Sequence, residues 1–287
     1  MEFLSLLIVL GLLQVWGSGG PVQQDQWLHQ WYNRVSGWLS AGHSRLIAVV
    51  VMPVILLILI AGILDDALFG LPLLIVTVVV LLYSLGRGDY SDRLTHYLTA
   101  WNQGNFESAY EQAMAIGDFE QSDAIADHES LHEHVRRAYL YDGFERWFAV
   151  VFWFLLLGPV VALVYRLSYL LGREQWVDAE ERQLALRLVH YLDWLPVRLL
   201  VLSFSLTGNF VNSFSQCWQQ FFVNQPSSEL LDECAVAAIN NSGHKRACPT
   251  DPEHCIEYGR EELLALQGLL SRSVICWVVV AALLIIL

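Results

Sequence analysis

Charged residues are scarce in this chain. Asp, Glu, Lys and Arg make up 16% of its 287 residues, whereas a soluble domain carries roughly 25%. Basic residues are the scarcer kind, with 16 Lys and Arg against 29 Asp and Glu, and the formal net charge is −13. Because binding to nucleic acid requires a basic face, we expect no nucleic-acid partner. The composition also argues against an ordinary cytosolic enzyme and against disorder.

The motifs of common catalytic and cofactor sites are missing as well. The sequence has no G-x-x-x-x-G-K-[ST] phosphate loop, no dinucleotide fingerprint and no G-x-S-x-G elbow. Its five cysteines include no C-x-x-C pair. We therefore expect no cofactor. A proline-containing segment carries His244, Cys248, His254 and Cys255, but their spacings fit no standard zinc site, and we predict no bound metal.

Long apolar runs are present instead. Leu46–Leu64, Ala67–Leu85 and Trp147–Tyr165 each hold 19 residues without a charge. A helix of that length is about 28 Å long, close to the hydrocarbon thickness of a bilayer. We predict a transmembrane helix in each run, and a shorter one at Ser273–Leu287.

Two further apolar segments are ambiguous. Phe3–Trp16 resembles the apolar core of a signal peptide, but no Lys or Arg precedes it, so we favour an uncleaved membrane helix. Leu188–Thr207 contains Asp193 and Arg198. It must therefore face protein, water or the membrane interface rather than bare lipid.

The apolar and polar stretches divide the chain into five regions. Residues 1–86 form an N-terminal membrane region, 87–146 an acidic hydrophilic helical region, and 147–207 a membrane helix followed by a broken amphipathic segment. Residues 208–272 are hydrophilic and helical, and 273–287 form a C-terminal membrane helix.

Arg and Lys in the connecting stretches predict the orientation in the membrane. Residues 17–45 and 87–146 carry several arginines and are predicted to lie in the cytoplasm, whereas Asp65-Asp66 is predicted to lie outside. The arginines of 166–187 also favour the cytoplasm, which conflicts with a single crossing by the preceding run. Either that run is re-entrant around Gly158-Pro159 or the rule fails locally, so the side of 166–187 stays open.

Helical periodicity extends into the acidic region. Apolar residues recur at helical spacing on both sides of Gly104-Asn105, which predicts a helical hairpin. These residues are Leu94, Tyr97, Leu98, Trp101, Phe106, Ala109, Tyr110, Ala113 and Met114. No segment shows convincing strand alternation. The predicted fold class is all-α, a polytopic membrane helical bundle with acidic hydrophilic helices.

One string of residues has a possible catalytic meaning. His128, Glu129 and His132 form an H-E-x-x-H pattern, which on a helix can hold zinc and place a general base beside it. The string lies in a strongly acidic run and no third ligand is marked. A solvated, hydrogen-bonded helix is the favoured interpretation, and a membrane-linked zinc hydrolase is the alternative.

Charged residues next to the later apolar segments form a second candidate site. A charge in the membrane needs a partner, so we predict that Arg166 or Arg198 pairs with Asp193 or with a carboxylate near 142–145. Such a set either forms a pocket for an anionic ligand or fixes helix register. The candidate pocket residues are Asp142, Glu145, Tyr165, Arg166, His190, Asp193 and Arg198.

Several blocks resemble a known family. They are residues 93–117, then 144–166 with Phe152-Trp153, Gly158-Pro159 and Tyr165-Arg166, and then "DWLPVRLL" at 193–200. In order and content they resemble AmpE, a bacterial inner-membrane family linked with β-lactamase induction and related to the cobalamin-biosynthesis enzymes CobD/CbiB. The resemblance implies a multi-pass inner-membrane protein with a regulatory role.

The resemblance also suggests that synthase chemistry is lost. The enzymes carry E-N-x-x-D-G before the F-W pair, where this chain has Tyr141, Asp142, Glu145 and Arg146, and the aspartate of their N-T-L-D-S-M becomes Gly172. An ATP-using condensation needs carboxylates to hold metal and phosphate.

We therefore expect a regulatory or sensory protein of the β-lactam response, tied to cell-wall recycling, rather than an enzyme. Its expected partners are the lipid bilayer, a small anionic ligand such as a muropeptide or nucleotide, and a protein partner or a second copy. A synthase of the adenosylcobinamide-phosphate type is the alternative.

Overall fold

The computed structural model describes residues 2–16, 23–64, 70–86, 90–114, 116, 128–223, 225–240 and 252–286. Every regular element within these ranges is helical, which confirms the predicted all-α class. The helices are α1 (Glu2–Trp16), α2 (Gln26–Ser36), α3 (His43–Leu64), α4 (Leu71–Ser84), α5 (Tyr90–Asn102), α6 (Phe106–Met114), α7 (His128–Gly143), α8 (Ala149–Leu157), α9 (Pro159–Arg173), α10 (Ala179–Thr207), α11 (Phe210–Gln220), α12 (Ser227–Ile239) and α13 (Pro252–Ile286). One π-helical turn, Phe144–Phe148, joins α7 to α8.

The first of two compact units comprises Met1–Gly88 and Ala149–Trp194. Its core is formed by apolar side chains of α2, α3, α9 and the start of α10, with Tyr83 of α4. Val49, Leu167 and Leu171 are fully buried there. Close van der Waals contact between such side chains stabilises helix packing in lipid as well as in water.

The second unit comprises Asp89–Phe148 and Leu195–Leu287. The predicted hairpin is present as α5 and α6, and the chain turns at Gly104, whose φ of +68° suits glycine. The inner face of α5 is buried as its periodicity predicted, including Tyr97 and Trp101. On α6 only part of the predicted stripe is buried, because Tyr110 and Met114 are exposed.

Three helices among the described residues are long and apolar enough to cross a membrane. They are His43–Leu64, Ala179–Thr207 and His254–Leu283. The first contains the predicted run Leu46–Leu64, and the third covers residues 273–283 of the predicted run Ser273–Leu287. The second contains the ambiguous segment Leu188–Thr207, which continues as one helix through Pro196.

Two other predicted spans form apolar helices of fewer than 18 residues. The run Ala67–Leu85 becomes α4, Leu71–Ser84, with 14 residues, and residues 65–69 lie outside the described part. Phe3–Trp16 lies within α1, which is also shorter than a full span.

The run Trp147–Tyr165 is divided at Gly158-Pro159 instead of forming one helix. Gly158 has φ +80° and ψ −172°, a conformation that is essentially restricted to glycine. Pro159 then starts α9, where its missing N–H costs nothing because the first turn has no acceptor for it. The break therefore follows from these two residues.

Candidate functional site

In the first unit, the structure brings together Tyr165 and Asp193, two residues of the predicted pocket. The Tyr165 hydroxyl donates to Asp193 Oδ1 at 2.8 Å. Both side chains are buried, with 0% and 1% of their surface exposed. A buried carboxylate needs such donors, because an unsatisfied charged group in the interior is costly. α9 and α10 are thereby connected at a polar position.

Arg166, the next residue of α9, is also buried. Its guanidinium lies 5.3 Å from the centroid of the Tyr169 ring, and Arg173 lies 4.8 Å from the same ring. Cation–π contacts of this kind keep a guanidinium oriented. By contrast, His190 is exposed on α10, with its ring 6.0 Å from that of Tyr191.

The remaining predicted residues lie in the second unit. Asp142 Oδ1 accepts from Arg146 Nε at 2.9 Å, and Asp142 Oδ2 accepts from Arg93 at 2.9 Å. Glu145 is buried with 3% exposed. Arg198 donates to the backbone carbonyls of Phe221 at 2.5 Å and Val223 at 3.1 Å, which ties α10 to the end of α11.

Asp142 and Glu145 lie at the π-helical turn, Phe144–Phe148. Such turns are rare and occur often at functional sites. Next to it, the Tyr90 hydroxyl donates to the Tyr139 carbonyl at 2.8 Å. A Cβ on Gly143 would lie 2.6 Å from that hydroxyl, so glycine is required for this close approach. The predicted ion pair of Arg166 or Arg198 with Asp193 or with a carboxylate near 142–145 stays a prediction.

His128 and His132 of the H-E-x-x-H string do not converge on one point. The ring of His128 stacks on Phe106 with centroids 3.5 Å apart. His132 is buried and its Nε2 lies 2.6 Å from Glu262 Oε2. Within the described residues, no group of three His, Cys, Asp or Glu side chains is placed to hold a metal ion. His244 and Cys248 lie outside those residues.

A buried ionic cluster surrounds His132, and the sequence analysis did not find it. Arg136 donates to Asp232 at 2.6 and 3.1 Å and to Glu262 at 3.0 Å. Burial favours the neutral guanidine, but the two carboxylates outweigh it and raise the pKa of Arg136 above its usual value. Arg136 lies on α7, Asp232 on α12 and Glu262 on α13. The two carboxylates are 96 and 126 residues from Arg136 in sequence, so no local spacing indicates them.

A second missed cluster lies in the first unit, where α2, α3 and α10 meet. Glu181 accepts from Arg45 at 2.7 Å, from the Tyr32 hydroxyl at 2.9 Å and from the Gly42 N–H at 2.8 Å. Arg45 also pairs with Asp178. Burial and the hydrogen bond to Glu181 raise the pKa of Tyr32 to about 12. Arg45 is thus fixed at the polar end of α3.

The fold and these buried polar clusters define a class, that of all-α proteins with helices suited to crossing a membrane. Comparison with known proteins narrows it. The family described as "Regulatory signalling modulator protein AmpE" matches residues 1–251, and the chain belongs to this AmpE family. The resemblance inferred from the sequence blocks is thereby confirmed.

The chain is also similar to two curated proteins, one an AmpE protein and one a CobD protein. It is 26% identical over 216 residues to Protein AmpE of Shigella flexneri, an alignment that covers 73% of this chain and 75% of the relative. It is 31% identical over 162 residues to Cobalamin biosynthesis protein CobD of Chromobacterium violaceum, covering 53% of this chain and 50% of CobD. No solved structure matches the chain.

Proposed function

We propose that the protein is a multi-pass regulatory component of a bacterial inner membrane that acts in the response to β-lactams, in connection with cell-wall recycling. The observation that carries this proposal is the match of residues 1–251 to a family of regulatory signalling modulators. The three long apolar helices support the membrane location.

We further propose that the polar residues of the first unit recognise a small anionic ligand, such as a muropeptide or a nucleotide, rather than catalyse a reaction. Arg166 is buried and directly follows Tyr165, which is hydrogen-bonded to Asp193, and a guanidinium binds carboxylate and phosphate with two parallel hydrogen bonds. Gly172 supplies no carboxylate at the position where the related enzymes carry aspartate, which favours binding without turnover.

Removal of the gene from its host tests the regulatory role. We expect inducible β-lactamase activity after exposure to a β-lactam to change at least about twofold, with restoration by a plasmid copy. Equal induction in the deleted and restored strains contradicts the proposal. Basal β-lactamase activity without the drug is the control for general effects on growth.

Ligand recognition is tested with the full chain in detergent. Muropeptides and nucleotides are added singly and the thermal unfolding midpoint is followed. The ligand that raises the midpoint of the wild type is expected to give no rise with Arg166→Gln, but a normal rise with Arg187→Gln, which removes an exposed arginine of α10. A shift that survives Arg166→Gln contradicts this site.

The similarity to CobD supports a second candidate function, a synthase of the adenosylcobinamide-phosphate type. Its test is complementation of a cobalamin auxotroph that lacks its own CobD. Growth without added cobalamin supports the synthase, and failure to grow despite normal amounts of the protein in the membrane argues for the regulatory role.

A further inference from the structure

A groove of about 350 Å³ opens between α2 and α3 in the first unit. Its volume lies in the range of small-molecule sites. One side is polar and the other apolar. The groove is lined by Trp27, Gln30, Trp31 and Arg34 of α2 and by Met52, Pro53 and Leu56 of α3.

The groove has a fixed wall because of Pro53. Proline has no N–H, so the carbonyl of Val49, one helical turn earlier, has no donor within α3. Trp31 supplies one, and its indole N–H donates to the Val49 carbonyl at 3.2 Å. In a membrane helix such a carbonyl must be satisfied from within the protein. The Trp31 indole is thereby held along one side of the groove.

The apolar side of the groove belongs to a helix that can cross the membrane. Met52 and Leu56 expose 43% and 59% of their surface. On a membrane-spanning helix, exposed apolar side chains are in contact with acyl chains. Trp27 of α2 is also exposed and lines the same groove.

The polar side carries an available cation. Arg34 is exposed, and none of the carboxylates that the structure describes pairs with it. Tyr32 of α2 contacts Arg45 in the first turn of α3, whereas Trp31 contacts Val49 one turn further along. The C-terminal part of α2, which carries Arg34, therefore lies towards the start of α3. The cation therefore lies towards the aqueous end of α3 and the apolar residues lie towards its middle.

This order matches a phospholipid, with a phosphate followed by an acyl chain. We propose that the groove binds one anionic phospholipid, with its phosphate at Arg34 and Gln30 and the first part of an acyl chain against Pro53 and Leu56. The apolar half favours a lipid over free phosphate, because a soluble anion leaves it uncovered.

The test uses the full chain, stripped of lipid in detergent and titrated with phosphatidylglycerol that carries brominated acyl chains. Bromine quenches indole fluorescence on contact, so we expect saturable quenching that is reduced in Trp27→Phe. Arg34→Gln should weaken the apparent affinity about fivefold, as expected for about 1 kcal/mol per arginine at an anionic lipid. Arg260→Gln, which removes an exposed arginine of α13, should leave it unchanged.

Each of the following results overturns the proposal. Equal affinity in the wild type and Arg34→Gln shows that the cation does not hold the headgroup. Equal quenching in Trp27→Phe places the lipid elsewhere. Complete displacement of the lipid by inorganic phosphate shows that the groove is an anion site to which the acyl chain contributes nothing. If Arg34→Gln does not fold, the wild-type protein is titrated with brominated phosphatidylcholine instead. An affinity for phosphatidylcholine equal to that for phosphatidylglycerol also overturns the proposal.

Discussion

Buried ion pairs join helices that are distant in sequence in both units, as Arg136 does with Asp232 and Arg45 does with Glu181. Arg136 has 4% of its surface exposed and Asp232 has 1%, yet each is charged and hydrogen-bonded. The net gain from a buried ion pair is small, because desolvation offsets the attraction. Removal of one partner is far more costly, since it leaves the other charge buried alone.

The first prediction concerns Arg136. Arg136→Ala should lower the free energy of unfolding by about 3–5 kcal/mol, because the carboxylates of Asp232 and Glu262 lose their cation. The measurement is denaturant or thermal unfolding of the purified protein in detergent. Arg260→Ala is the matched control and should change the free energy by less than about 0.5 kcal/mol. A change for Arg136→Ala as small as that of the control contradicts the role of the cluster.

Sequence reasoning at the residue scale reached only part of this chemistry. Asp193 stands out in the sequence as a charge within an apolar segment, and Tyr165 stands out because it closes an apolar run next to Arg166. The structure places Tyr165 and Asp193 in contact. His132 was noticed for its spacing to His128, but its partner is Glu262, 130 residues away. Contacts over such separations depend on tertiary packing, which no local pattern specifies.

At the scale of elements, glycine and proline determine where helices break or change form. Gly158 and Pro159 divide α8 from α9. The apolar run Trp147–Tyr165 by itself predicts one continuous helix. Only the backbone preferences of Gly158 and Pro159 predict that the run is divided into two helices. The π-helical turn has no comparable local signal. It directly follows Gly143, where the Tyr90 hydroxyl packs closely against α7.

The second prediction tests that packing. Gly143→Ala should destabilise the protein by about 1–3 kcal/mol, because the new methyl group overlaps the Tyr90 hydroxyl. Tyr90→Phe removes the hydroxyl, so the double variant should lose less than the sum of the two single variants. Gly268→Ala is the control, since its Cβ meets nothing within 4 Å. Strict additivity of the two changes argues against the contact.

At the scale of the whole molecule, apolar runs of sufficient length were the most informative part of the sequence. Leu46–Leu64 lies within α3, and the much longer α13 covers residues 273–286 of the predicted C-terminal run. The predicted acidic regions could be recognised from composition. The joining of separated chain segments into each compact unit could not, because composition carries no information on long-range pairing.

The third prediction concerns topology. In a variant without native cysteines, Asp66→Cys should react with a membrane-impermeant maleimide in intact cells, since the acidic turn is predicted to lie outside. Glu107→Cys, on the exposed surface of α6, should react only after the membrane is permeabilised. Labelling of Glu107→Cys in intact cells contradicts the proposed cytoplasmic location of the acidic hairpin.

Regulation of β-lactamase through ligand recognition in the first unit is the central proposal for this AmpE-family chain. The most direct test measures β-lactamase activity after β-lactam exposure in a strain whose only copy carries Asp193→Asn, with the amount of membrane protein matched by immunoblot. We predict that β-lactamase induction in this strain equals that of the strain without the gene, because Asp193→Asn removes the carboxylate to which Tyr165 donates its hydrogen bond. Induction equal to that of the wild type would contradict the account.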